Sequence, residues 1–258
     1  MSAGVARVRH VLVLPWHLDD PLGEGIGIDV PVGATVVDGG PGDDAEPWTA
    51  LVGVYAGLAD ALAGSDEATV LTGDCVTAIA VLAGLQRRGL DPAMVWFDAH
   101  GDFHTEDTTT SGYLGGLPLA KVVGRGDLTL PRALGMTPLA EERAVLVDGR
   151  DLDPPEVDAL AGSDVRQVAV ADLTPDVLPA GPLLVHVDLD VVDPGDLRGL
   201  RFPAPGGPDL DAVAAGVATV AATGRVVGLS IAATWDPAAI DRDQAQRAVD
   251  SILTAAQR

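Results

Sequence analysis

Along most of the chain, short and nearly continuous apolar runs alternate with longer stretches in which apolar residues recur every three or four positions. The runs are Val8–Leu14, Ala68–Thr72, Ala93–Asp98, Ala144–Asp148, Val165–Val170, Leu183–Asp188 and Val226–Ile231. Most are rich in valine and lack the polar alternation of a half-exposed sheet, which predicts strands buried on both faces. Between them, Trp48–Ala63, Thr77–Arg88, Pro154–Ala161, Leu210–Ala221 and Ile240–Ala255 carry alanine and leucine at helical spacing. This alternation predicts an α/β fold, a mostly parallel sheet with helices on its faces. Glycine and proline cluster at 15–47 and 195–208, which read as surface loops. With 258 residues and no convincing internal repeat, the expectation is one domain over residues 1–258.

Composition narrows the partners. Thirty-eight acidic against 16 basic residues give a formal charge of −22, which repels nucleic-acid phosphates and anionic membranes and favours a small-molecule substrate. No apolar run reaches the length of about 18 residues that a membrane span needs. The N-terminal segment lacks the pattern of a signal peptide. A cytoplasmic protein is therefore expected, and the lone Cys75 fits a reducing compartment. A homo-oligomer is compatible with the sequence, which does not specify one.

In an open parallel sheet, ligands bind beyond the carboxyl ends of the strands. Three strand ends carry suitable residues. One apolar run ends in Asp98, followed by His100, Asp102 and His104 at spacings of two, so extended chain can aim them one way. A second ends in Asp188 and Asp190, with His186 at the same parity but better suited to packing or support than to ligation. Carboxylates at the end of a buried strand are costly unless a cation or hydrogen bonds compensate. Four carboxylates with an imidazole suit a pair of divalent ions, of the Mn, Fe, Co or Zn type rather than Ca or Mg. The third end is Gly73-Asp74-Cys75 before a helix, where a thiolate could ligate a metal; a lone cysteine by itself reads rather as a buried packing residue, and its place at a third strand end narrows that difference. A nucleotide-binding reading fails, because Pro15–Asp20 follows the first strand in place of a glycine-rich turn. His10 and His17 carry no ligand pattern.

With these residues in view, the chain resembles the ureohydrolases, the arginase and agmatinase family, over nearly its whole length. The resemblance is specific at Asp98-Ala99-His100-Gly101-Asp102 and at His186-Val187-Asp188-Leu189-Asp190-Val191-Val192-Asp193-Pro194. It implies a three-layer αβα fold with a central sheet of about eight strands. It also implies two divalent metal ions, expected to be manganese, and hydrolysis of a guanidino, hydroxyguanidino or related C–N bond by a hydroxide bridging them. Carried over residue by residue, Asp98 and Asp188 would bridge the metals, Cys75 and Asp102 would complete the first site, and His100 and Asp190 would bind the second. Cys75 stands where the family has a histidine, and with Thr110–Gly116 it makes the chain look most like the hydroxyarginine-hydrolysing branch.

Two departures bear on the substrate. Gly115 stands at the family's proton-shuttling histidine, and Ala233 at the glutamate that holds the guanidinium. His104, with the matching parity of its row, is the candidate to act as general acid or to bind the far end of the substrate, with Asp102 as its catalytic neighbour. Thr109, Ser111 and Asp236 are candidate substrate-binding residues, Asp236 as a replacement for the missing charge. The alternative is a non-catalytic member of the fold that keeps its metal as a structural or ligand-binding centre.

Overall fold

The computed structural model describes residues 11–22, 26–65 and 68–257. The start of the first expected strand, Val8 to His10, lies outside the described residues. The strands are β1 (Val11–Leu14), β2 (Trp16–His17), β3 (Asp20–Pro21), β4 (Thr35–Val36), β5 (Thr69–Thr72), β6 (Ala93–Asp98), β7 (Ala144–Asp148), β8 (Arg166–Val168), β9 (Leu183–Asp188) and β10 (Val226–Ala232). The helices are α1 (Pro47–Ala63), α2 (Thr77–Arg87), α3 (Pro118–Val122), α4 (Thr129–Ala133), α5 (Pro154–Ala161), α6 (Leu210–Ala221) and α7 (Arg242–Ala255). Eight strands form one sheet in the order β4-β1-β5-β10-β9-β6-β7-β8, and every neighbouring pair is parallel.

The unbroken apolar runs follow from this architecture. Leu12, Leu14, Met94 and Trp96 face a core that includes residues of α1, α2 and α5. Their neighbours Val11, Val13, Val95 and Phe97 face a second core with α6 and α7. Both parities are therefore apolar in the central strands, and the chain forms three layers. Helix boundaries have local causes. Asp241 accepts hydrogen bonds from Asp243 N and Gln244 N, so α7 begins at Arg242 rather than at Ile240.

Two expectations need correction at the edges of the sheet. Segment 15–47 is not all loop: β2 and β3 pair antiparallel as a hairpin, and β4 adds an eighth strand beside β1. Each is two residues long, too short to leave a periodic signal, and both residues of β4 are exposed. At the other edge, Val165–Val170 shortens to β8, whose Arg166 and Gln167 are exposed rather than buried on both faces. The segment 195–208 contains no regular element, yet Leu197, Leu200 and Ala204 are buried.

The five strands β5, β10, β9, β6 and β7 are consecutive in the sheet. Their carboxyl ends bring Cys75, Thr234, Asp188, Asp98 and Asp151 to one cavity.

Candidate metal centre

Asp98 ends β6 at the centre of the cluster. Its Oδ2 accepts from Trp96 Nε1 at 2.9 Å, and its Oδ1 from His100 N at 2.8 Å. His100 turns back so that Nδ1 lies 3.0 Å from Asp190 Oδ2 and 3.5 Å from Asp98 Oδ1. From β9, Asp188 Oδ1 accepts from Asp190 N at 2.9 Å, while its Oδ2 accepts from Cys75 Sγ at 2.8 Å. Asp190 Oδ1 in turn accepts from Ala99 N at 3.2 Å. The loops after β6, β9 and β5 are thus tied together through the candidate ligands themselves.

Among the described residues three triplets of ligand-type atoms form: Cys75 with Asp98 and Asp102, Asp98 with His100 and Asp190, and His104 with Asp153 and Glu156. Within each, all the atoms lie within 4.8 Å of one another, and Asp98 belongs to the first two. Asp102 is held at φ 48°, a left-handed backbone for a residue that pays to adopt it. Its carboxylate is buried and its Oδ2 has no hydrogen-bond partner. A buried carboxylate oxygen left in this state costs energy that a cation would remove. Donor chemistry and geometry both fit a pair of metal ions.

The electrostatics point the same way. Burial, then the nearby Asp98 charge, raises the Asp102 carboxyl well above the usual range. Burial with Asp190 and Asp98 does the same to Asp188, and burial with Asp98 raises Asp190 to about 7. For Asp98, burial is outweighed by the hydrogen bonds and charge of His100, which hold it below the usual range. His100 is itself pushed to about 12, since Asp190 and Asp98 overcome its burial. Burial and then Asp188, Asp102 and Asp98 push the Cys75 thiol up, so its place two residues before α2 does not by itself produce a thiolate.

Of the site residues expected from sequence, Cys75, Asp98, His100, Asp102, His104, Thr109, Ser111, Asp188 and Asp190 line one cavity of about 310 Å³. Asp236 is not among the lining residues. Its Oδ1 accepts from Ala238 N in a local turn, so it does not supply the charge expected of it. Just past β10, Ala233 lines a second cavity only, whereas Thr234 lines both that cavity and the one at the ligand cluster. His186 is buried, 2.6 Å from Ser230 Oγ and packed on Trp96, and burial pushes it down to about 4, as suits a supporting residue.

Asp151, Asp153, Glu156, Tyr113 and Phe202 also line the cavity, without having been singled out from sequence. The three acids follow β7 as His100 and Asp102 follow β6, so the strand-end rule contained their signal. His104 Nε2 lies 3.2 Å from Asp153 Oδ2, and its Nδ1 lies 3.1 Å from Thr108 Oγ1. Glu156 accepts from Phe103 N and Asp153 N, at 3.0 and 3.2 Å. Arg150 bonds Asp148 together with the carbonyls of Asp190, Val191 and Ala204, locking the β7 loop to the β9 loop.

Comparison with known proteins agrees with this geometry. The model of the arginase family matches residues 29–256. An N(omega)-hydroxy-L-arginine amidinohydrolase of Streptomyces lavendulae is 31% identical over 207 residues, covering 79% of this chain and 72% of that protein. An arginase of Bacillus subtilis is 33% identical over 151 residues, 54% of this chain and 51% of its own length. The chain thus spans about half of that arginase in the alignment. In three dimensions, a crystal structure of Bacillus subtilis arginase superimposes with a TM-score of 0.78 at 24% identity, covering 95% of this chain and 97% of the other. An Entamoeba histolytica arginase in complex with L-ornithine gives 0.78 at 17% identity, covering 96% of this chain and 97% of the other. The fold is shared beyond the reach of sequence identity, and with the family model matching most of its length, the chain belongs to the arginase family.

Proposed function

We propose that the chain is a metal-dependent hydrolase of a guanidino, hydroxyguanidino or related C–N bond. The observation that carries the proposal is the pair of ligand triplets sharing Asp98 beside an open cavity. A purely structural site closes its coordination shell, whereas a catalytic one keeps room for water and substrate. Cys75 and Asp102 would hold the first cation, His100 and Asp190 the second, with Asp98 and Asp188 reaching both. Manganese is the first candidate among ions that accept mixed oxygen, nitrogen and sulfur donors. When bound, the two cations would lower the pKa of water and polarise the amidino group.

The remaining lining residues position the substrate. Thr109 and Ser111 offer hydroxyls at the rim, while His104, braced by Asp153 and Thr108, offers an imidazole edge. From β10 the cavity receives the Thr234 hydroxyl, which donates to Gly73 O at 2.9 Å, and no carboxylate. A guanidinium entering here lacks a charge-assisted partner from that strand, a loss of roughly 1.5–3 kcal/mol. Hydroxyguanidines are less basic and lose less. The similarity to a protein named N(omega)-hydroxy-L-arginine amidinohydrolase supports the same preference.

The test is a release assay on manganese-loaded protein with arginine, agmatine and hydroxyarginine. The expected result is hydrolysis of hydroxyarginine with a kcat/KM more than about tenfold above that for arginine. Equal rates would refute the substrate preference. No release from any of the three would refute the hydrolase reading itself.

A further inference from the structure

Hydrolysis of a C–N bond requires a proton at the departing nitrogen. Near the ligand cluster, one side chain is built differently from the rest. A Cβ on Gly115 would lie 2.5 Å from the Tyr113 ring and hydroxyl, so the phenol fills the space that any side chain at 115 would take. Phe202 packs against it with ring centroids 5.0 Å apart. On its far side, Tyr113 Oη lies 3.4 Å from His17 Nε2, and the two rings stack at 6.1 Å.

His17 is buried and fixed from behind. Its Nδ1 lies 3.0 Å from Gly73 O. A carbonyl only accepts, so Nδ1 carries the hydrogen and, in the neutral ring, Nε2 is left to face Tyr113 as an acceptor. The hairpin that carries His17 is strained to do so. Leu18 has φ 53°, and its N–H donates to the buried carboxylate of Asp74 at 2.9 Å. Gly73 N donates to Trp16 O at 3.2 Å, and a Cβ on Gly73 would come within 2.6 Å of that oxygen. Strained backbone held by a buried charge is the kind of arrangement found where a side chain must be aimed.

The pair also joins two spaces. Tyr113 lines the cavity of the ligand cluster, whereas His17 lines the second cavity of about 520 Å³. The charged and titratable groups around His17 are Asp74 and Tyr113 on one side, and Asp20, Arg201 and Arg242 around the second cavity.

We propose that Tyr113 and His17 form a proton relay that delivers a proton from His17 Nε2 through the Tyr113 hydroxyl to the leaving nitrogen. Resting on the hydrolase reading above, this assigns Tyr113 as a catalytic residue and His17 as a positioning and proton-supplying residue behind it. When His17 is doubly protonated, Nε2–H donates to the Tyr113 oxygen and turns the phenol hydrogen into the cavity. As the C–N bond breaks, its electron pair passes to the leaving nitrogen, which takes the phenol proton. Tyr113 recovers a proton from His17 Nε2, and the neutral ring left with its hydrogen on Nδ1 is reprotonated at Nε2 by solvent entering the cavity after the product leaves. Burial, followed by Asp74 and Cys75, holds the phenol far above its ordinary range, so it passes a proton through without resting as phenolate.

The experiment compares wild type, Tyr113→Phe and His17→Gln, all loaded with manganese and checked for metal content and melting temperature, with hydroxyarginine as substrate. Gln can still donate to Gly73 O, which separates proton transfer from folding. The relay predicts a fall in kcat of about ten- to hundredfold in both variants with KM within about twofold. Nitrogen-15 NMR of the histidines adds an independent arm: neutral His17 should carry its hydrogen on Nδ1, and Tyr113→Phe should shift Nε2. Hydrolysis at wild-type rate in both variants overturns the relay alone, as does a neutral Nε2–H tautomer. Absence of hydrolysis by wild type overturns the hydrolase reading and the relay with it.

Discussion

Asp74 and Asp102 are both buried acids near strand ends, 28 positions apart, yet their surroundings differ in kind. Asp74 is surrounded by neutral donors: Leu18 N at 2.9 Å, Thr77 N at 3.1 Å and the Tyr55 hydroxyl at 2.9 Å. Asp102 sits among Asp98, Asp188 and Asp190, with one oxygen lacking any partner. Burial raises both carboxyls, but for Asp74 the next influences lower it, whereas for Asp102 the next is another negative charge. An acid met by N–H and O–H groups belongs to the fold. An acid met by other acids awaits a cation. Burial alone does not distinguish them; the list of partners does.

The comparison can be broken most severely by removing each carboxylate in turn from metal-free protein. Asp74→Ala leaves the Leu18, Thr77 and Tyr55 donors unpaired, and at about 1–3 kcal/mol for each buried unsatisfied group the loss is at least about 3 kcal/mol. Asp102→Asn removes a carboxyl whose ionised form its neighbours disfavour, and is expected to leave stability equal or higher. Urea denaturation of the two variants after chelation checks this, and a larger loss for Asp102→Asn would reverse the assignment of the two acids.

Smaller in scale is the effect of Cys75, which donates to Asp188 from the same side as Asp102. Cys75→Ala should weaken one cation by about ten- to hundredfold while sparing the other, and Cys75→His should retain both. Calorimetric titration with manganese reads the two steps separately. Two unchanged steps in Cys75→Ala would return the residue to packing.

The smallest expected effect is on pH dependence. Asp190 titrates at about 7 in the fold, against about 3.9 in an unfolded chain. The folded state therefore binds more protons between these values, and this contribution to stability is lost as pH rises through about 7. His100, at about 12 in the fold against about 6.5 unfolded, acts with the same sign above pH 6.5. Metal-free protein should thus lose roughly 1 kcal/mol per pH unit between pH 6 and 8. Saturating manganese should abolish or invert the slope, because the cations replace the protons. A slope that rises with pH in the chelated protein would contradict the placement of these groups.

Much of this was legible in the sequence, for reasons particular residues make plain. The central strands were readable because both faces are buried, so Val11 and Leu12 are equally apolar. The edge strand Thr35–Val36 was not, since two exposed residues carry no period. Asp98, His100, Asp102, Asp188 and Asp190 are legible because ligand-type residues cluster where two apolar runs end, although the chain there is not the extended one expected: Asp102 is left-handed and Asp190 lies in a 3-10 turn. Asp153 and Glu156 carry no separate signal because they also open α5, Asp153 as the cap before Pro154 and Glu156 as its partner in the capping box. Tyr113 and His17 could not be paired in advance: 96 residues separate them, and only the hairpin clamped by Asp74 brings them together. Ala233 and Thr234 lie just past the end of β10, and sequence resemblance does not fix which of the two meets the cavity.

The claim that these acids form a two-cation centre around Asp98 is tested most directly by counting metal. Wild type, Asp98→Asn and Asp102→Asn would be loaded with manganese, desalted and analysed by inductively coupled plasma mass spectrometry. The account predicts close to two ions per chain in wild type, close to one in Asp102→Asn and close to none in Asp98→Asn. Two ions per chain in Asp98→Asn would contradict it.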